Sequence, residues 1–214
     1  MQKVGILVIG LLLVSVAVIG CAQPAPSVPS TPSTPTQQPA EEGVVPETDK
    51  PPQETVSPAD KEMPLTLTSP AFTDGSKIPV KYTCDGGNTS PPLNWGKGPA
   101  GTASFVLIVD DTNAPVGVFT HWVIFNLPPD TQGLPEAVPQ DDKLASGALQ
   151  GKNGAQLIGY FGPCPPGGTP HHYRFTLYAL DKSLSSKAGA EKEQVLQAMQ
   201  QHIIGQAQLI GTYR

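Results

Sequence analysis

The sequence predicts a mainly β, sandwich-like domain behind an export leader and a tether. Three observations carry this. Three runs of strand length, at 104–110, 121–126 and 171–180, are dominated by apolar, β-branched and aromatic residues. Gly- and Pro-rich loops separate them. A single segment, 191–203, has helical spacing.

The elements follow in chain order. Lys3 supplies a short positive region, and Val4 to Gly20 is apolar apart from Ser15. That length lies between a signal-peptide core and a membrane span. Val18-Ile19-Gly20-Cys21 then has the form of a lipobox, which reads residues 1–20 as a signal peptide and Cys21 as the lipidated residue. The alternatives are an uncleaved anchor with an incidental cysteine and a cleaved leader without lipid. The lipid reading places the chain on the extracytoplasmic face of a membrane, at a cell surface or in a periplasm.

Residues 22–62 read as a disordered tether. They hold 10 of the 25 prolines, no aromatic residue, seven acids and two bases. Such a stretch has too little apolar area to offset chain entropy. Proline stiffens it, and fully extended it spans on the order of 100 Å. The net charge of −5 resides mostly here, and residues 63–214 are close to neutral. No basic stripe marks a nucleic-acid surface.

Residues 63–214 suffice for one core. Leu65 to Leu67 alternates, and Ile78 to Tyr82 reads as an edge strand entered through Pro79. Ser104 to Asp110 and His121 to Asn126 are continuous apolar runs, which predicts strands buried on both faces. In His171 to Leu180, alternation puts His171, Tyr173, Phe175 and Leu177 on one face and His172, Arg174 and Thr176 on the other. Val195, Met199 and Ile203 define the helix, and Gly205 follows it. Residues 206–213 form a short closing strand.

Polar groups gather in three places: Asp110 to Pro115, His121, and the loop from Gly159 into Tyr173. Imidazole N–H groups and a tyrosine hydroxyl can donate to anionic oxygens. His172 and His202 read as surface or structural residues, and Asp110 as a strand end. No Gly-x-Ser-x-Gly motif is present.

The motifs resemble those of the phosphatidylethanolamine-binding protein family, in its bacterial and archaeal Raf-kinase-inhibitor-like branch. Asp111-Thr-Asn-Ala-Pro115 is similar to the family's Asp-Pro-Asp-Ala-Pro, with Thr112 and Asn113 as departures. His121-Trp-Val and Asn126-Leu-Pro match its His-Trp-Val and Asn-Ile-Pro. Residues 160–181 match its Gly-Pro-Pro and His-Arg-Tyr block, and Cys84 to Trp95 is similar to a stretch of that branch. The resemblance covers about residues 64–214. It implies an antiparallel β-sandwich with a few peripheral helices and a pocket for phosphate, phosphorylated head groups and similar small anions. The implied ligand residues are Asp111, His121, Gly162, Pro165, Pro166, His171 and Tyr173. Asp111 would orient or protonate a histidine, or bind protonated. Asn113 would remove a negative charge near the site. No catalytic turnover and no cofactor are expected.

Two other classes stay open. Asp111, His121 and His171 have the composition of a two-histidine, one-carboxylate metal site. Family members are also described as protein regulators, so the resemblance leaves open a protein-interaction regulator, such as an inhibitor of an extracellular protease or an envelope signalling factor, with an unidentified protein partner. Cys84 and Cys164 form an even pair, which in an oxidising compartment suggests a disulfide. The alternative is two buried thiols. A zinc site would need further ligands at suitable spacing.

Overall fold

Strands form where the apolar runs were read. The computed structural model describes residues 64–115 and 117–214, and the leader, Cys21 and the tether to residue 62 lie outside the described residues. The central pair is β3 (Ser104–Asp111) and β4 (Phe119–Leu127), flanked by β7 (His171–Leu180). All are antiparallel in one five-stranded sheet of order β6-β4-β3-β7-β8, with β6 at Leu149–Gln150 and β8 at Ile203–Tyr213. A smaller antiparallel sheet of order β1-β2-β5 uses Leu67–Thr68, Leu93–Trp95 and Gly133–Leu134.

The core sits on both faces of the large sheet. Phe105, Leu107, Val109, Trp122, Tyr173, Phe175 and Leu177 meet Leu67, Leu93, Trp95 and Leu134 from the small sheet side. Val106, Ile108, Val123, Phe125 and Leu180 meet α1 (Lys192–Met199) through Val195 and Met199. Strands buried on both faces need apolar residues at both parities, hence the continuous runs. The one buried indole in β4 is satisfied: Trp122 Nε1 donates to Gln150 Oε1 at 2.7 Å.

Two boundaries differ from the sequence reading. The segment from Ile78 to Tyr82 is not an edge strand. Only Lys77 bridges β8, at Thr212, and Val80–Tyr82 is a 3₁₀ turn capped by Pro79. Thr83 donates from both N and Oγ1 to Val80 O, which closes the turn and delivers Cys84. The helix ends at Met199 rather than Ile203. Val195 and Met199 are buried, whereas Ile203 is 40% exposed and opens β8 opposite Leu180. The edge of β7 offers this β-branched pair, Ile203 and Ile204, a strand ladder, and tertiary pairing overrides helical spacing. Among the described residues there is one α-helix, near the C-terminus.

Candidate functional site

The site begins with a residue count. Val109 pairs with Trp122, but Asp110 pairs with Thr120, so β4 carries one extra residue at His121. A bulge of this kind re-aims a side chain. The shift places Thr120 opposite Asp110 on the helix face, where its Oγ1 donates to Asp110 Oδ1 at 2.8 Å. His121 turns to the opposite face. Its ring meets Tyr173 edge-on at 5.1 Å and Phe119 at 4.9 Å. Plain alternation would have grouped His121 with Val123 and Phe125, which pack toward α1.

His121 is 3% exposed, and its Nδ1–H donates to Phe161 O at 2.6 Å. A carbonyl can only accept, so this bond fixes the tautomer and leaves Nε2 for the cavity. Burial lowers the imidazole's pKa below its ordinary value, and the Phe161 carbonyl, Asp111 and Asp110 oppose that shift only in part. His171 is oriented by a carboxylate: its Nδ1–H donates to Asp111 Oδ2 at 2.6 Å, with both side chains 5% exposed. Asp111 Oδ1 accepts from Asn113 N–H at 2.8 Å. Of the roles open to Asp111, the geometry has it orient a histidine.

Asp111, His121 and His171 line one cavity of about 370 Å³. The remaining wall is apolar and includes Pro115, Phe119, Phe161, Pro165 and Pro166. No lysine or arginine lines it. Gly162 and Tyr173 do not line it either. Gly162 sits where the loop crosses the turn after Tyr82: its N–H donates to Asn88 Oδ1 at 2.6 Å, and a Cβ there would come within 2.7 Å of that oxygen. Tyr173 is fully buried behind His121, and its hydroxyl has no hydrogen-bond partner. Desolvation raises its pKa, so it stays a neutral phenol.

Asn113 points away from the cavity. Its Oδ1 accepts from His172 N–H at 2.9 Å, on the exposed side of β7. The departure from the family's acid therefore acts on the loop's attachment to β7. His172 is exposed and His202 pairs with Asp181 at 2.9 Å, both outside the cavity. Asp110 does more than end its strand, since Lys192 Nζ reaches its Oδ1 at 3.1 Å.

Cys84 and Cys164 are joined by a disulfide, with Cα atoms 5.4 Å apart. Cys164 belongs to the cavity wall beside Pro165 and Pro166. Phe119, Phe161, Ala155 and Cys164 were not singled out as wall residues from the sequence. The available signal was position: Phe119 lies two residues before His121, and Phe161 within the matched Tyr-Phe-Gly stretch.

Asp111 is engaged in positioning: its two oxygens accept from His171 Nδ1–H and from the Asn113 N–H. Among the described residues, no group of three His, Cys, Asp or Glu side chains could hold a metal ion.

Comparison with known proteins places the chain. Residues 68–214 match the family model described as phosphatidylethanolamine-binding protein. A UPF0098 protein of Methanothermobacter thermautotrophicus is 53% identical over 150 residues, which are 70% of this chain and 99% of the relative. That relative consists of little more than the matched domain, which in that protein stands without a leader or tether of this kind. A Mycobacterium tuberculosis protein named "Putative lipoprotein LppC" is 44% identical over 151 residues, 70% of this chain and 72% of its own length. The crystal structure of Escherichia coli YbcL, described as a member of the mammalian PEBP family, superposes with a TM-score of 0.66 at 32% identity, covering 71% of this chain and 99% of YbcL. The chain belongs to the phosphatidylethanolamine-binding protein family.

Proposed function

We propose that this protein binds a small oxyanion, the phosphate of a phosphorylated head group foremost, in the cavity of Asp111, His121 and His171, without chemical turnover, while tethered through Cys21 on the extracytoplasmic side of a membrane. The observation that carries the reading is that two imidazoles have Nδ1 engaged by the protein and offer Nε2 to one cavity. The lipobox and the lipoprotein name of the mycobacterial relative support the anchoring. Apart from Asp111 and the two histidines the lining is apolar and its cysteine is disulfide-bonded, which supports binding without turnover.

The test is an NMR titration of residues 63–214 with phosphoethanolamine, following all four imidazoles. Saturable shifts at His121 and His171, with His172 and His202 silent, are expected. Silence at both cavity histidines in a folded, ligand-free sample would overturn the head-group reading.

The electrostatics add a pH dependence. A buried, neutral His121 presents a lone pair at Nε2, which repels a bare anionic oxygen. The bound state therefore takes up a proton, on the imidazole or on the phosphate itself, whose second pKa is about 6. Affinity is expected to rise by up to about tenfold per pH unit as pH falls from about 7.5 toward 6. Calorimetry in two buffers of different ionisation enthalpy reads the proton directly, and equal heats in both would contradict the coupling. The free protein behaves oppositely. His121 has a folded pKa below its unfolded value, so its contribution to stability is complete above about pH 6.5 and is lost as pH falls toward the lowered value.

A further inference from the structure

The helix side of the large sheet holds a chain of polar contacts that ends beside His121. Lys192 Nζ donates to Asp110 Oδ1 at 3.1 Å, and Thr120 Oγ1 donates to the same oxygen at 2.8 Å. None of the three lines the cavity. Thr120 and Lys192 instead line a separate cleft of about 290 Å³, which shares Phe119 with it.

Lys192 is an unfavourable residue for its place. It opens α1, where the macrodipole favours anions and disfavours cations. Glu191 at the N-cap and Glu193 in the first turn follow that rule. Asp110 explains the departure. The Lys192 and Asp110 side chains are 14% and 23% exposed, and a pair so shielded loses much of its attraction to desolvation. Its larger effect is geometric. Arg174 stands opposite Asp110 on β7, yet the carboxylate pairs with Lys192. The helix start is itself fixed, since Val195 and Met199 are buried and Lys152 N–H donates to Ala190 O at 3.1 Å. Lys192 therefore holds Asp110, and Asp110 holds Thr120.

The bulge needs such a lock. Gly154 N–H donates to Thr120 O at 2.7 Å, and Phe161 N–H donates to His121 O at 2.9 Å. Every residue offers the same carbonyl, so these bonds place the strand without choosing which residue faces Asp110. The Thr120 hydroxyl makes that choice. With Thr120 opposite Asp110, His121 is the extra residue and turns to the cavity. In a ladder slipped by one residue, His121 would stand opposite Asp110 and its imidazole would meet α1.

We propose that Lys192, Asp110 and Thr120 are positioning residues: they lock the bulge from the helix side, so that α1 sets the aim of an imidazole it does not touch. The proposal rests on the anion reading for its effect on affinity, but not for its effect on His121 itself.

The test is NMR of residues 63–214, which hold both hydrophobic clusters in full. Thr120→Val removes the hydroxyl at nearly constant volume and leaves every charge in place. In the ligand-free variant, the Nδ1–H signal of His121 and its ring contacts with Tyr173 are expected to weaken, while the Nδ1–H signal of His171 is unchanged. Phosphoethanolamine affinity is expected to fall about fivefold, as for the loss of one such hydrogen bond. Lys192→Met is expected to act in the same direction, and Thr120→Ser to restore both readouts. Wild-type His121 signals in Thr120→Val overturn the lock. A loss that Thr120→Ser does not recover, or that His171 shares equally, is a general loss of structure and overturns it too. Wild-type His121 signals in Lys192→Met overturn the part given to α1. Imidazoles of the wild-type domain that ignore phosphoethanolamine sink the anion reading instead, and the ligand-free His121 signals still decide the lock.

Discussion

An Asp111→Ala variant is expected to bind phosphoethanolamine at least about tenfold more weakly and to lose roughly 1–3 kcal/mol of folding stability. The affinity loss follows from orientation. Oδ2 fixes which nitrogen of His171 faces the cavity, and Oδ1 fixes the Asp111–Asn113 turn beside it. The stability loss follows from burial: the His171 N–H would remain in a site 5% exposed with nothing to accept it. Asp111→Asn separates charge from orientation. The amide keeps the volume and removes a negative charge, but it cannot accept from both His171 Nδ1–H and Asn113 N–H without offering its NH₂ to one of them. If orientation dominates, the asparagine variant also binds weakly. Tighter binding by Asp111→Asn would show that the carboxylate mainly opposes the anion, and the positioning role would be lost. Calorimetric affinity and urea unfolding read the two effects.

The second large effect concerns the Cys84–Cys164 bond. Its partners are 80 residues apart in sequence. In the chain-entropy model, closing a loop of that length stabilises by roughly 4–5 kcal/mol. Cys84→Ser/Cys164→Ser, or reduction of the wild-type protein, is expected to lower the urea midpoint accordingly. Binding should fall as well. Cys84 N–H donates to Pro163 O at 3.0 Å, but among the described contacts no hydrogen bond anchors residues 165–170. Released from the disulfide, Pro165 and Pro166 must be ordered again whenever the cavity fills, at a cost in chain entropy. An affinity loss of about tenfold or more is expected from one or two residues so freed. Unchanged affinity in the folded double-serine protein would mean that the proline wall holds itself.

The parts legible in the sequence were those set by composition. Continuous apolar runs in β3 and β4 reported burial on both faces, because both parities face a core. Alternation in β7 separated buried His171 and Tyr173 from exposed His172 and Arg174, as strand geometry requires. Parts set by tertiary competition were not legible. Ile203 has helical spacing to Met199, yet the free edge of β7 takes it. Pro79 starts a 3₁₀ turn where a strand was read, because Thr83 closes the turn on Val80. In the site, motif matching gathered Asp111, His121, His171, Pro165 and Pro166 around one cavity, but it could not distinguish residues that line the wall from those that shape it. Gly162 allows close backbone approach, and Tyr173 backs the His121 ring.

The extra residue at His121 also bears on how the site is inherited. Every group in the cavity could persist through a lineage while the loss of Thr120 alone restored the regular ladder, put His121 opposite Asp110 and returned the imidazole to the helix side. Such a descendant would keep a high percentage identity and most of its motif letters, yet it would be blind to the ligand. For deciding which relatives share this pocket, the interval between aligned letters is therefore a sharper criterion than the letters themselves.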